Sequence, residues 1–254
     1  MKMMIFFLLT ASLTPFGVLA WNAPGKDFSG DLKLEGTVTN THNPWVWEVG
    51  KGNKNLNSKQ KRYRRGGEKH IPIPLPALTI MLGKTTLVTP AGREGLSPRV
   101  TYGKNSEDFS LVWIKPGVAE VTLPAFGENN IRVGTFIFRM QVASVLRHLQ
   151  DEAVVYNNVY DDLNANGLPD ETRVMKAGLI PGFLQIAFGG EGPYWLKDMG
   201  VTGTAGLSHF SEASFRQVDG AYAAQIVADS GELRLCSEMP ERWSVSLPVS
   251  IEYQ

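Results

Sequence analysis

One cysteine, Cys236, stands in 254 residues, so no disulfide can close within the chain. The fold must draw its stability from its core, from a metal or from a partner. A lone thiol of this kind reads as a small packed hydrophobe, with pairing between chains or reactivity as the alternatives. Histidine is scarce: His42, His70, His148 and His209 fall on unrelated segments, with no spacing to one another or to Cys236 that suits zinc. Neither sign of charge is in excess, with 25 Lys and Arg against 25 Asp and Glu, which gives no indication of nucleic acid. The chain has no Gly-x-Ser-x-Gly, no phosphate-cradling glycine loop and no carboxylate pair in a hydrolase setting. It therefore reads as a non-enzyme. Past the first twenty residues, no apolar run is long enough to span a bilayer.

What is there begins with an export signal. Lys2, the apolar run 5–9 and the stretch from Gly17 to a small residue at Ala20 predict cleavage after Ala20 and a mature start at Trp21. The remaining chain has the length of one large all-β domain or two small ones.

Its C-terminus alternates. Trp243, Val245, Leu247, Val249, Ile251 and Tyr253 are apolar or aromatic, while Ser244, Ser246, Ser250 and Glu252 between them are polar. A period of two over eleven residues predicts a strand with one buried and one wet face. So apolar a strand needs a partner, in this chain or in another. A second alternating stretch lies near the other terminus, where Phe28, Gly30, Leu32, Leu34, Gly36 and Val38 are apolar or tiny and the residues between them polar.

Further strands are expected at 45–49, 78–82, 99–102, 109–114, 119–123, 135–145, 222–228 and 232–235, punctuated by Gly, Pro and Asn as in a sandwich. Within 135–145, Phe136, Phe138, Met140 and Val142 share a face. Pro72, Pro74 and Pro76 all remove donors from one side of their segment, which suits a sheet rim or else polyproline II. The stretch 51–69 carries eight Lys and Arg and reads as a basic surface loop, either simply solvated or facing an anionic glycan or host surface. The pattern loosens over about 147–220, an elaboration with short helices expected at 179–187 and 211–218.

Two features of that elaboration suggest ligands. Asp162, Asn164, Asn166 and Asp170 occupy the first, third, fifth and ninth places of a calcium-type loop, with Gly167 at the sixth. The twelfth place, which should be a bidentate Glu, is Arg173, and clusters of Asn, Asp and Gly also make ordinary turns. Calcium is thus a candidate and no cofactor is firm. Tyr156, Tyr160, Tyr194 and Trp195 could stack on sugar rings or pack in the core.

Taken together, Trp21, Asp27-Phe28-x-Gly30, Gly36-x-Val38-Thr39, Trp45-x-Trp47 and the alternating end at Tyr253 resemble chaperone–usher fimbrial subunits. The likeness is to the kappa clade of enterotoxigenic enteric bacteria, and to its minor subunits most. The resemblance implies an incomplete immunoglobulin-like β-sandwich, a pilin fold one strand short, with the elaboration as a mid-chain insertion. Its domains would be a signal peptide at 1–20, a donor-strand extension at 21–39 and the sandwich at 40–254. Phe28, Gly30, Leu32, Leu34, Gly36 and Val38 would be donated to a neighbouring subunit. Val245, Leu247, Val249, Ile251 and Tyr253 would border the acceptor groove and be recognised by a chaperone. Implied partners are neighbouring fimbrial subunits, a periplasmic pilin chaperone, an outer-membrane usher and a host glycan, on a route through the periplasm to a cell-surface fimbrium. The glycine that many subunits carry about a dozen residues before the end is replaced here by Glu241. The alternative is a secreted carbohydrate-binding β-sandwich stabilised by calcium.

Overall fold

The computed structural model describes residues 43–53, 56, 63–65, 68–236 and 240–254. The expected signal segment 1–20 and the donor positions Phe28 to Val38 lie outside them, as does most of the basic stretch 51–69.

The strands are β1 (Trp45–Val49), β2 (Tyr63–Arg65), β3 (Glu68–Ile73), β4 (Thr79–Thr85), β5 (Thr89–Ala91), β6 (Pro98–Tyr102) and β7 (Ser110–Lys115), then β8 (Val118–Phe126), β9 (Arg132–Gln150), β10 (Ala153–Tyr160), β11 (Val201–Gly206), β12 (Arg216–Ile226), β13 (Gly231–Leu235) and β14 (Val249–Tyr253). Among the described residues one α-helix, α1 (Ile180–Phe188), interrupts them, with short 3-10 turns between strands. The fold is all-β.

Nineteen-residue β9 is the spine. Along its first half it pairs with β8 on one edge and with β13 on the other; along its second half the partners are β10 and β12. From β12 the sheet continues through β4 to β1, and from β13 through β3 to β2. Only β14 and β6 stand apart, as a separate antiparallel pair.

Alternation along β9 decides what each face buries. Phe136, Phe138, Met140, Val142 and Leu146 enter the main core with Val121 and Leu123 of β8, Leu233 and Leu235 of β13, Met81 of β4 and Tyr222 of β12. Ala143 and Val145 point the other way, with Ala221 and Ala223 of β12, into a second cluster. α1 covers that outer face. Its Ile180, Phe183, Leu184, Ala187 and Phe188 recur at the helical period and are buried, Pro181 sits in its first turn, and Gly189 ends it at φ 56°. Small alanines on the strands let the helix approach closely. The elaboration is thus a lid of helix and loop, and it gives the second half of the sheet two buried faces.

Several expectations need correction. The helix expected at 211–218 is absent; a 3-10 turn ends at Ser211 and β12 begins at Arg216. Val218, Tyr222 and Ala224 alternate into the core, and pairing of Arg216 with β9 and β5 and of Val218 with β5 overrides the helix-favouring composition. Cys236 is exposed rather than packed. On β13 the odd positions are buried, so Cys236 follows the outward parity. The proline repeat is strand only as far as Ile73: Ile71, Pro72 and Ile73 pair with β13, whereas β2 reaches residues 68–70. The eleven-residue C-terminal strand is reduced to the five residues of β14, preceded by an isolated bridge from Ser244 to Phe126.

Buried polar groups bind the layers. Tyr102 and Tyr222 join hydroxyl to hydroxyl at 2.9 Å, and the Tyr222 hydroxyl lies 2.9 Å from the Gly167 carbonyl. Burial drives both phenols above the usual tyrosine range. In the unfolded chain they ionise near pH 10, while the folded state keeps them protonated, so folding stability falls as pH rises above about 10. Replacing Tyr222 with Phe should cost about 1–3 kcal/mol by chemical denaturation at pH 7, because the Gly167 carbonyl is left without its donor. The same substitution should lessen the alkaline loss of stability.

Candidate functional site

Backbone parity exposes the site. β1 runs antiparallel to β4 in the register Trp45 to Thr85, and just outside it the amides of Thr86 and Gly50 donate to Pro44 and Ile80, both at 2.9 Å. Residues 44 and 50 thus turn toward β4, and by alternation so do Val46 and Glu48. Trp47 and Val49 turn their N–H and C=O to the other side.

β14 shows the same arrangement. Gln254 exchanges two bonds of 3.1 Å with Ser97, and the Gly103 amide donates to the Pro248 carbonyl at 2.8 Å. Even residues therefore face β6. Val249, Ile251 and Tyr253 face away from it, and their backbone groups find no partner among the described residues.

Between these two edges lies a groove of about 350 Å³. Residues 49–53 and Ile80 form one wall, and Val245, Leu247 and Val249 the other. Its apolar floor is Leu123, Phe136, Phe138 and Ile226. At one end the walls meet, where Trp47 Nε1 donates to the Tyr253 hydroxyl at 2.9 Å. Trp47 is fixed there by stacking on Trp45, with ring centres 5.2 Å apart and planes 14° from parallel. Gly83 makes room for it, since a Cβ at that position would come within 2.2 Å of the indole.

Of the five residues expected at an acceptor groove, Val245, Leu247 and Val249 line it. Ile251 packs on the same core, and Tyr253, 39% exposed, stands at the closed end. The facing wall and the aromatic floor were not anticipated. They become visible only when hydrogen-bond parity shows which strand edges lack a neighbour.

A family model described as "Fimbrial, major and minor subunit" matches residues 1–254. The K88 minor fimbrial subunit FaeI of Escherichia coli is 65% identical over 254 residues, covering all of both chains. The chain belongs to the family of fimbrial major and minor subunits.

In this fimbrial subunit the calcium-type loop serves a structural purpose. Asn166 mimics a strand: its Oδ1 accepts from the Tyr102 amide at 2.7 Å and its Nδ2 donates to the Tyr102 carbonyl at 2.9 Å. Gly167 N donates to Val100 O at 3.1 Å, and Val100 leaves no room for a Cβ at Gly167. Together they close the edge of β6 that β14 does not use. The Asp162 carboxylate accepts from the Ser208 amide and hydroxyl at 3.0 and 2.5 Å. Asn164 adopts φ 56°, and its carbonyl accepts from Arg99 at 2.9 Å. Asp170 caps a 3-10 turn through the Thr172 amide at 2.9 Å, and the Thr172 hydroxyl, followed by that amide and Arg173, lowers its pKa. Among the described residues no three His, Cys, Asp or Glu are grouped to hold a metal.

The aromatic candidates do not form one platform. Trp195 is a core residue, only 3% exposed, whose Nε1 donates to the buried Asp219 at 2.9 Å; it is not available to a sugar. Tyr156 packs beside it, with ring centres 5.6 Å apart. Tyr194 is exposed, with the Arg147 guanidinium 6.0 Å over its ring. Tyr160 is half-buried near Glu171 and Asp162.

Asn166→Ala should lower stability by about 1–3 kcal/mol, because it strands both backbone groups of Tyr102. Adding millimolar calcium or EDTA should leave the melting temperature of the unaltered subunit unchanged. A calcium-dependent rise would return the loop to the metal candidates.

Proposed function

We propose that the chain is a minor subunit of an adhesive fimbrium, assembled by donor-strand complementation. One observation carries this reading: two strand edges, on β1 and β14, face one apolar groove, and their outward backbone groups find no partner among the described residues. An extended segment laid between them would hydrogen-bond to both edges and cover Phe136 and Phe138 with alternate side chains. The segment 21–39 is the donor this subunit offers to its neighbour, through Phe28, Gly30, Leu32, Leu34, Gly36 and Val38. Residues 40–254 are the body that receives one. A periplasmic chaperone would occupy the groove beforehand, with Tyr253 part of the surface it reads, and an outer-membrane usher would exchange one occupant for the next. The relative's name, that of a minor subunit, supports the minor role.

Magnitudes favour a subunit that depends on its neighbour. Burying Phe28, Leu32, Leu34 and Val38 contributes roughly 6–12 kcal/mol, at about 1.5–3 each. Ordering residues 28–38 costs about 1 kcal/mol or more apiece, a sum of similar size. The ladder bonds to two otherwise unpaired edges then decide the balance.

A chain shortened to residues 40–254 should aggregate or melt at low temperature when produced alone. A peptide of residues 22–39 should rescue it, read as a monomeric peak in size-exclusion chromatography and a raised melting temperature. A shortened chain that is monomeric and equally stable without peptide would refute donor-strand complementation.

A further inference from the structure

Helix α1 carries no charge on the side it turns to water, since residues 180–188 include no charged residue. Its one long polar group, Gln185, donates its amide to the Leu196 carbonyl at 2.8 Å. Opposite the stripe that α1 buries runs a second one, Leu179, Gly182, Ile186 and Gly189, at spacings of three, four and three. All four are exposed, Leu179 by 58% and Ile186 by 74%. A surface helix ordinarily places charged or polar side chains here. Gly189 is needed for the left-handed cap, but Gly182 has no such duty. Its backbone is helical, and a Cβ there would meet nothing within 4 Å among the described residues. Glycine weakens a helix relative to alanine, so the bare position gains the fold nothing.

Large and small alternate along this stripe, and they do so symmetrically. Leu179 and Gly189 lie five residues either side of position 184, and Gly182 and Ile186 lie two either side. A second α1, turned end for end on a two-fold axis through that position, sets every aliphatic side chain opposite a glycine. Ile186 enters the notch at Gly182 of the second copy, and Leu179 meets Gly189, each contact made twice. The charges at the ends follow the same symmetry. Exposed Lys176 precedes the centre by eight residues and exposed Glu191 follows it by seven. Antiparallel pairing therefore brings opposite charges together at both ends, whereas parallel pairing would oppose like charges.

We propose that the outer stripe of α1 is a docking surface for a second copy of this chain, antiparallel about a two-fold axis. Such a contact closes on itself, so it joins subunits in pairs and does not propagate a fibre. α1 covers the face of the sheet opposite the core that floors the groove, and the pairing leaves the groove open to its own occupant. The pairing does not depend on donor-strand exchange. At 1.5 Å per residue the stripe is about 15 Å long, which makes the contact small and reversible.

Sedimentation equilibrium of the mature chain tests it, with a peptide of residues 22–39 in excess so that the groove of every copy is offered an occupant. The mean mass should rise with concentration from one chain toward two. A chain that stays monomeric throughout, as it would if a different partner covered α1, overturns the proposal. Gly182→Ala should weaken the pairing about tenfold by filling the notch, and should leave the melting temperature equal or higher. An unchanged dissociation constant in that variant overturns the proposal, because the association then uses another surface. Lys176→Glu should weaken the pairing about fivefold, and adding Glu191→Lys to it should restore the original affinity. A double variant no tighter than the single one overturns the antiparallel two-fold pairing.

Discussion

A backbone amide or carbonyl taken out of water needs a partner, and the described residues of this subunit leave two rows of them without one at the same place. Among the described residues β1 is paired on the β4 side alone and β14 on the β6 side alone, and between them lies a floor of Leu123, Phe136, Phe138 and Ile226. Apolar surface and unpaired edges together are more demanding than either alone. A lone apolar pocket can be filled by any greasy ligand, and a lone edge can be solvated. The combination selects an extended peptide with alternating apolar side chains.

The rest of the structure holds those walls apart. β1 is braced by Trp45 and Trp47, stacked on each other and meeting Phe210 and Tyr222 edge-on, with Gly83 cleared beneath them. β14 is braced from outside by Ser97 and Ser211 at Gln254 and by Lys104 and Arg99 around Glu252, where the Lys104 ammonium depresses the carboxyl pKa. Behind β14, the edge of β6 is sealed by Asn166 and Gly167. The outer lid adds burial where the inner core cannot. α1 and Trp195 cover the alanine face of β9 and β12, and the buried Asp219 is satisfied by Trp195, Thr85 and Gly220. A sheet with one unfinished core gains a finished one on its other side.

Much of this was legible from alternation alone. The shared face of Phe136, Phe138, Met140 and Val142, the strand at Trp45 and the helix at Ile180 need only period and burial, and period is local. What was not legible depended on partners distant in sequence. Residues 211–218 have a helical composition that loses, from Arg216 on, to pairing with β5 and β9, both more than sixty residues earlier. The spacing from Asp162 to Asp170 could not show that Asn166 pairs with the backbone of Tyr102, which lies more than sixty residues away in sequence. Trp195 is as aromatic as a sugar platform requires, and only the sheet beneath it decides that it is core. Cys236 shows the reverse case: the strand expected at 232–235 ends where β13 does, and its parity carried one residue further places Cys236 outward.

The C-terminus is the instructive disagreement, because neither side is wrong. Alternation from Trp243 to Tyr253 describes a strand with neighbours on both sides, whereas the described residues supply a neighbour on one. A strand's length is a property of the sheet, since each added residue must recover its ordering entropy through ladder bonds and burial. With β6 ending at Tyr102 and the groove side open, extension upstream of Val249 gains little, and the strand stops. Pro248 locates the stop without causing it, because its missing donor lies on the β6 side. A sequence that specifies more strand than its own fold can pair is what assembly by strand exchange requires. Under the donor-strand proposal, that surplus would become structure when a neighbour provides the other edge.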